Sequence, residues 1–181
     1  MRLVLLDRDG VLNEDRPDSV RRPGDLVLIP GAAAAVARLN GAGWRVVVVT
    51  NQAVVGRGLM TADTLDRVHR TLTDALAKAG AHLDAIVTCT DPPGRPSARR
   101  KPAPGMLLEA LDRFDAGPET TPMIGDGLSD MEAATAAGCA RLLVRTGKGA
   151  ATERAGLPAA LRPITVFDDL AAAVEHLLAR P

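Results

Sequence analysis

Arg45-Val46-Val47-Val48-Val49 is an unbroken β-branched run that ends abruptly in the polar pair Thr50-Asn51. Four valines without polar alternation suit a strand covered on both faces, the habit of parallel sheets rather than of half-exposed antiparallel ones. Similar short apolar runs lie on either side of it: Leu3–Leu6 before, then Ala85-Ile86-Val87-Thr88, Pro122-Met123-Ile124, Arg141-Leu142-Leu143-Val144 and a last short edge at Ile164-Thr165-Val166. The spacing between these runs is long enough for a helix each time. Strand-helix alternation of this kind implies an α/β fold, a doubly wound, Rossmann-like parallel sheet with helices on both faces.

The helices announce themselves by period and by caps. Gly31 to Asn40 is alanine-rich and stops at Gly41-Ala42-Gly43. Thr61 is a candidate N-cap for a helix carrying Leu65, Val68, Leu72, Leu76 and Ala79 on one face and ending at Gly80. Pro104 suits a first helical position, followed by a stripe of Leu107, Leu108, Leu111 and Phe114. Ser129-Asp130-Met131-Glu132 has capping-box spacing, with Gly138 closing that helix. Asp168 is a candidate cap for the last helix, which carries Leu170, Val174 and Leu177. The one irregular stretch, Asp91 to Pro104, is dense in proline and arginine. The rhythm resumes after it, so it reads as an ordered loop inside one domain spanning residues 1–181.

Bulk properties narrow the function. The chain has 181 residues, 22 basic and 22 acidic, hence no formal net charge. A nucleic-acid binder would show a basic excess, and with no tyrosine and one tryptophan there is little to stack on bases. The N-terminal apolar run is broken at once by Asp7, too short for a secretory or membrane segment. Two distant cysteines, Cys89 and Cys139, make no disulfide framework. The expectation is a cytoplasmic monomer with no membrane and no nucleic-acid partner.

In open parallel sheets, ligands bind beyond the carboxyl ends of the strands. Reading the residue after each strand gives Asp7 and Asp9, then Thr50 and Asn51, then Arg100 and Lys101 beyond the third-strand loop, then Asp126 with Asp130 one turn on. Carboxylates, a hydroxyl and two cations thus meet on one rim. Such a set suits phosphoryl transfer. Hard carboxylate oxygens hold Mg²⁺, a carboxylate can attack phosphorus to give an aspartyl-phosphate, and a lysine, a hydroxyl and backbone N–H groups can stabilise the transferring group. A second carboxylate two residues on can protonate the leaving alkoxide and later activate water. Three histidines, His69, His82 and His176, fall on helix or helix-end surfaces with no catalytic context. Gly125-x-Gly127 lacks the third glycine of a dinucleotide site, and Thr146-Gly147-Lys148-Gly149 lacks the first glycine and the Ser/Thr of a P-loop.

Four segments together carry a family resemblance: Asp7-Arg8-Asp9-Gly10-Val11-Leu12-Asn13, Thr50-Asn51-Gln52, Arg100-Lys101-Pro102-Ala103-Pro104-Gly105-Met106 and Ile124-Gly125-Asp126-Gly127-Leu128-Ser129-Asp130. They resemble, in order and with fitting spacing, the four motifs of the haloacid dehalogenase superfamily. Their wording is closest to the branch holding heptose 1,7-bisphosphate 7-phosphatases and the phosphatase domain of histidinol-phosphate phosphatase. The resemblance implies Asp7 as nucleophile and metal ligand, and Asp9 as general acid/base with its carbonyl on the metal. Asp126 completes the metal's protein ligands, with Asp130 in support. Thr50 and Lys101 are implied to stabilise the phosphoryl group, and Asn51 and Arg100 to help recognise the substrate. Gln52, Ala53 and Val54, with the loop from Asp15 to Ser19, are implied to face the substrate body. The cofactor implied is Mg²⁺ and the substrate a small phosphorylated sugar, foremost the C7 phosphate of a heptose 1,7-bisphosphate, the alternative being histidinol phosphate or another small phosphomonoester.

Segment lengths and one departure from the family pattern sharpen this. Residues 10–49 and 51–100 leave no room for a large cap domain, so loops must set specificity. Members of the branch also often carry a zinc loop patterned Cys-x-His and Cys-x-Cys, whose positions here are Cys89, Asp91, Ser97 and Arg99. One ligand in four survives and a structural zinc site needs four, so zinc is expected to be absent, with Pro92, Pro93 and Pro96 stiffening the loop instead. A receiver-type signalling domain, the rival from another class, wants its phospho-accepting aspartate at the end of strand three, where Thr88-Cys89-Thr90 stands.

Overall fold

The structure, a computed structural model, describes residues 1–95 and 97–179; Pro96, one of the expected loop stiffeners, lies outside the described residues. Six strands, β1 (Arg2–Leu6), β2 (Trp44–Asn51), β3 (Ala85–Cys89), β4 (Pro122–Gly125), β5 (Ala140–Val144) and β6 (Ile164–Phe167), form one sheet in the order β3-β2-β1-β4-β5-β6. Every pairing is parallel. The helices are α1 (Ala32–Gly41), α2 (Ala53–Gly56), α3 (Ala62–Ala77), α4 (Gly105–Arg113), α5 (Leu128–Ala137), α6 (Gly149–Ala155) and α7 (Leu170–Leu178). None is long and apolar enough to cross a membrane.

The valine run of β2 shows why the sheet is covered twice. Val46 and Val48, with Val4 and Leu6 of β1, pack into a cluster with Val36 and Leu39 of α1, Leu72 and Leu76 of α3, and Val174 of α7. Val47 and Val49, with Leu3 and Leu5, pack the other way against Met106, Leu107 and Leu111 of α4 and Ala133 and Ala134 of α5. All four valines are fully buried, at about 1.5–3 kcal/mol for each such side chain. A single strand therefore anchors both layers.

Local signals set most helix ends. Thr61 Oγ1 accepts from Thr64 N at 3.2 Å and starts α3, whose Leu65, Val68, Leu72 and Leu76 are buried. Gly138, left-handed at φ 80, closes α5. Other details differ from the sequence reading. Ala79 lies beyond the end of α3 and is exposed. Pro104 flanks α4 instead of opening it, and Leu108 is 48% exposed because Met106, Leu107, Ala110 and Leu111 form the buried stripe. The cap of α7 is Asp169, whose carboxylate accepts from Ala172 N at 2.8 Å, while Asp168 pairs with Arg145 at 2.6 Å. The N-cap of α5 is Gly127, not Ser129.

The chain runs from β1 outward to β2 and β3, then returns across the sheet to β4 and continues outward the other way. β1 and β4 are therefore neighbours at the switch point, where their connections diverge and a crevice opens. The ladder continues one residue past β1, Asp7 N donating to Ile124 O at 2.9 Å. That bond fixes the backbone of Asp7 beside the residues that lead into Asp126.

Candidate active site

Asp7, Asp9, Thr50 and Lys101 converge at the carboxyl ends of β1 and β2, beside Asp126 and Asp130 at the end of β4. A cavity of about 350 Å³ opens there. Of the expected site residues, Asp7, Asp9, Asp15, Ser19, Asn51 and Gln52 line it, as do Ala53, Val54, Arg100, Lys101 and Asp126. Thr50 sits just beneath, 1% exposed.

The loop after β1 is built by backbone bonds that fold Asp9 back over the strand end: Gly10 N donates to Asn13 O at 2.7 Å and Leu12 N to Arg8 O at 2.9 Å. Gly10 is forced. Its φ is +83, and a Cβ there would lie 2.0 Å from Asp126 Oδ2. Gly147, at φ +56, crowds the same oxygen from the other side, with a would-be Cβ at 2.2 Å. The two glycines form a slot that holds the Asp126 carboxylate, and Lys148 N completes it by donating to Oδ2 at 2.7 Å.

Around Asp7 the contacts are one-sided. Arg8 N donates to Oδ1 at 2.7 Å and Lys101 Nζ sits 3.0 Å from the same oxygen. No hydrogen bond among the described residues reaches Oδ2. Lys101 is held independently of Asp7: its Nζ donates to Asp130 Oδ1 at 2.6 Å and Val49 O at 2.8 Å. Asp130 does two jobs, since its Oδ2 also accepts from Gly127 N at 2.9 Å and caps α5.

Asp9 is gripped from several directions. Arg8, wholly buried, donates through Nη2 to both carboxylate oxygens at 2.9 Å. Asn13 Nδ2 donates at 2.8 Å and Gln52 Nε2 at 2.9 Å. Burial alone would raise its pKa, but Arg8, Asn13 and Gln52 outweigh it and hold the carboxyl below the usual range. Gln52 Nε2 also donates to Thr50 Oγ1 at 2.9 Å, so the Thr50 proton is left for another acceptor.

The electrostatics favour a cation. Burial pushes the Asp7 carboxyl up to about 8, with Lys101 opposing and Asp130, Asp126 and Asp9 adding to the rise. Burial likewise raises Asp126 to about 6, against the Lys148 N–H. Lys101 is pushed up despite its burial, because Asp130 and Asp7 face it. One ammonium thus balances a cluster in which carboxylate oxygens of Asp7, Asp126 and Asp130 all lie within 4.8 Å of one another. Hard oxygen donors this close, with excess negative charge, fit a small divalent cation such as Mg²⁺.

Sequence reading missed several lining residues: Arg57, Pro93, Gly127, Ser129 and Lys148. Lys148 was findable. It follows β5, and the rule applied to strands one to four applies there too. Its Nζ lies 3.1 Å from Asp15, and Thr146 Oγ1 donates to Gly10 O at 2.6 Å, tying that turn to the loop after β1. His69 was misplaced as a surface residue. Its Nε2 is buried without a partner, and Arg8 is among the charges that bear on it.

Three of the four positions that correspond to the branch's zinc ligands meet in space. Cys89 Sγ lies 3.5 Å from Asp91 Oδ2 and 3.8 Å from Ser97 Oγ, and Ser97 Oγ donates to Asp91 Oδ2 at 2.5 Å. Arg99 turns away to Glu109 and to Thr88 O.

Comparison with known proteins agrees with this geometry. A family model described as HAD-hydrolase-like matches residues 98–173. A D-glycero-beta-D-manno-heptose-1,7-bisphosphate 7-phosphatase of Bordetella bronchiseptica is 44% identical over 179 residues, 98% of each chain. One from Pseudomonas putida is 39% identical over 98% of this chain and 100% of its own. The crystal structure of D,D-heptose 1,7-bisphosphate phosphatase from B. bronchiseptica, complexed with magnesium and phosphate, superposes with a TM-score of 0.93 at 43% identity, covering 98% of both chains. A fold with its switch-point carboxylates at the end of β1, matched over its whole length at this identity, belongs to the haloacid dehalogenase superfamily, in the family of the heptose 1,7-bisphosphate 7-phosphatases.

Proposed function

We propose that this protein is a Mg²⁺-dependent phosphatase that removes the C7 phosphate of D-glycero-D-manno-heptose 1,7-bisphosphate through an aspartyl-phosphate on Asp7. The observation that carries the reading is the one-sided bonding of Asp7, a residue that lines the cavity: Oδ1 is held by Arg8 N and Lys101, and no hydrogen bond among the described residues engages Oδ2. Oδ2 attacks phosphorus while the bond from phosphorus to the C7 oxygen breaks. Asp9 gives its proton to the departing alkoxide. In the second step Asp9 takes a proton from water, the hydroxyl oxygen attacks phosphorus, and Asp7 is released with phosphate. An incoming phosphate dianion opposes the donors on Asp9 and favours the protonated form the first step requires; once the alkoxide has taken that proton, Arg8, Asn13 and Gln52 hold the ionised form the second step requires.

Lys101 and the free Thr50 hydroxyl face the phosphoryl oxygens and stabilise charge as it spreads over them. Asp7 and Asp126 would hold the cation, with the Asp9 carbonyl and Asp130 in support. When bound, Mg²⁺ supplies neutralisation of the phosphate charge that otherwise repels an anionic nucleophile. Since no cap closes over the cleft among the described residues, the substrate body is met by loops, which favours a compact sugar with a protruding phosphate. The buried free thiols of Cys89 and Cys139 suit a reducing cytoplasm, and the hydrogen-bonded Cys89–Asp91–Ser97 cluster suits a protein that binds no zinc.

The test is phosphate release with Mg²⁺ over heptose 1,7-bisphosphate and histidinol phosphate. The expected outcome is a kcat/KM higher on the bisphosphate, with the 1-phosphate as product. A higher value on histidinol phosphate overturns the substrate. Elemental analysis showing about one zinc per chain overturns the metal reading.

A further inference from the structure

The irregular segment between β3 and α4 meets the cavity at Pro93 and again at Arg100 and Lys101. It is tied down at two places that share no atoms. One tie holds Lys101. Asn51 Nδ2 donates to Lys101 O at 3.0 Å, and Lys101 N donates to Asn51 Oδ1 at 3.1 Å. The other tie holds Arg100. Ser97 Oγ accepts from Arg99 N at 3.2 Å and from Arg100 N at 3.1 Å, and donates to Asp91 Oδ2 at 2.5 Å. The hydroxyl thereby uses its single proton and both lone pairs. Arg100 Nη1 donates to Asp91 O at 3.0 Å. Asp91 and Ser97 therefore fix both the backbone and the guanidinium of Arg100, and Lys101 does not depend on them.

We propose that Asp91 and Ser97 are positioning residues that aim Arg100 at the second, non-reacting phosphate of a bisphosphate substrate, setting affinity for it without altering the chemical step. This rests on the reading of Arg100 as a substrate-recognition residue. An arginine held at one nitrogen keeps its remaining donors in a fixed plane, which suits an oxyanion. A guanidinium released from Asp91 and Ser97 has to be ordered anew at each binding event, which weakens binding and leaves Lys101, Asp7 and Thr50 where they were.

The test is steady-state kinetics of Ser97→Ala, Asp91→Asn and Arg100→Met on a sugar bisphosphate and on the matching monophosphate without the second phosphate. Ser97→Ala should raise KM for the bisphosphate about tenfold, change kcat less than about twofold, and leave the monophosphate KM in place. Ser97→Thr should restore the bisphosphate KM. In an Arg100→Met background Ser97→Ala should have no further effect, since the two act through one group. Asp91→Asn, close in shape to the native residue, gives a second reading if Ser97→Ala folds poorly. If Arg100→Met raises the bisphosphate KM selectively and neither Ser97→Ala nor Asp91→Asn does, the positioning proposal is overturned and the Arg100 reading stands. An Arg100→Met variant with an unchanged ratio of the two KM values overturns both. An equal fall in kcat on both substrates for Ser97→Ala marks a merely structural role and also overturns the proposal.

Discussion

Asp130→Asn is the most informative single change, because Asp130 joins the cap of α5 to the buried Lys101 ammonium through its two oxygens. Oδ1 accepts from Lys101 Nζ at 2.6 Å and Oδ2 from Gly127 N at 2.9 Å, with both charged side chains 2% exposed. An asparagine has one oxygen for these two donors, so its amino group must face either the ammonium or the Gly127 N–H. The lost charge-assisted bond is worth about 1.5–3 kcal/mol, and a lost cap about 1 kcal/mol. Breaking a buried ion pair outright costs about 3–5 kcal/mol, but Asp7, 3.0 Å from Lys101, keeps the ammonium partly paired. A destabilisation of about 3 kcal/mol follows, or a melting midpoint lower by about 6–12 °C for a chain of this size. Urea unfolding followed by the fluorescence of Trp44, the sole tryptophan, measures it. EDTA must be present so that metal binding does not add to stability. Lys101→Met and the double variant complete a cycle, with a coupling of about 1.5 kcal/mol or more expected. Additivity within about 0.5 kcal/mol would mean that Asp130 only caps α5, and the ion pair would drop out of the account.

Asp7→Asn should lose turnover by about 10⁴-fold or more, since an amide is no nucleophile. It should melt no lower than the parent in EDTA, because it removes a carboxylate that burial pushes up to about 8; near-parental kcat would end the covalent mechanism. Gly147→Ala places a Cβ 2.2 Å from Asp126 Oδ2 and should raise the Mg²⁺ concentration for half-maximal activity about 10- to 100-fold. An unchanged metal titration would show that the slot does not position Asp126. Burial, with Arg8 adding, lowers the His69 pKa from 6.5 to about 4. The unfolded chain therefore binds the extra proton first, so this contribution is complete above pH 6.5 and is lost as pH falls toward 4, by about 3 kcal/mol in all. Unfolding free energies at several pH values, compared with His69→Gln, should diverge over that window and not above it; parallel profiles would refute the assignment.

The layered parallel sheet was legible in sequence because its cause is local: four consecutive valines cannot all be covered unless both faces are. Asp7 and Asp126 were legible as site residues because each directly follows a strand, and Asp9 because it stands two residues on from Asp7. What escaped needed three dimensions. Leu108 and Leu107 are equal in hydropathy, and only the direction in which α4 docks decides which is buried. Asp168 and Asp169 are equal as caps until Arg145 claims the first. His69 looked solvated because part of its environment, Arg8 and Asp9, belongs to the loop after β1, some sixty residues away in the chain. The doubled roles of Asp130 and Gln52 were invisible for the same reason, since one partner of each, Lys101 and Asp9 respectively, lies far off in the chain.

The pair of hydrogen bonds between Asn51 and the Lys101 backbone has an evolutionary reading. It is a joint that lets the chain between Thr90 and Arg100 be rewritten, by insertion, substitution or exchange of one cross-link for another, while the lysine stays seated beside Asp7. Substrate choice can then drift on its own, without each trial passing through a catalytically dead ancestor.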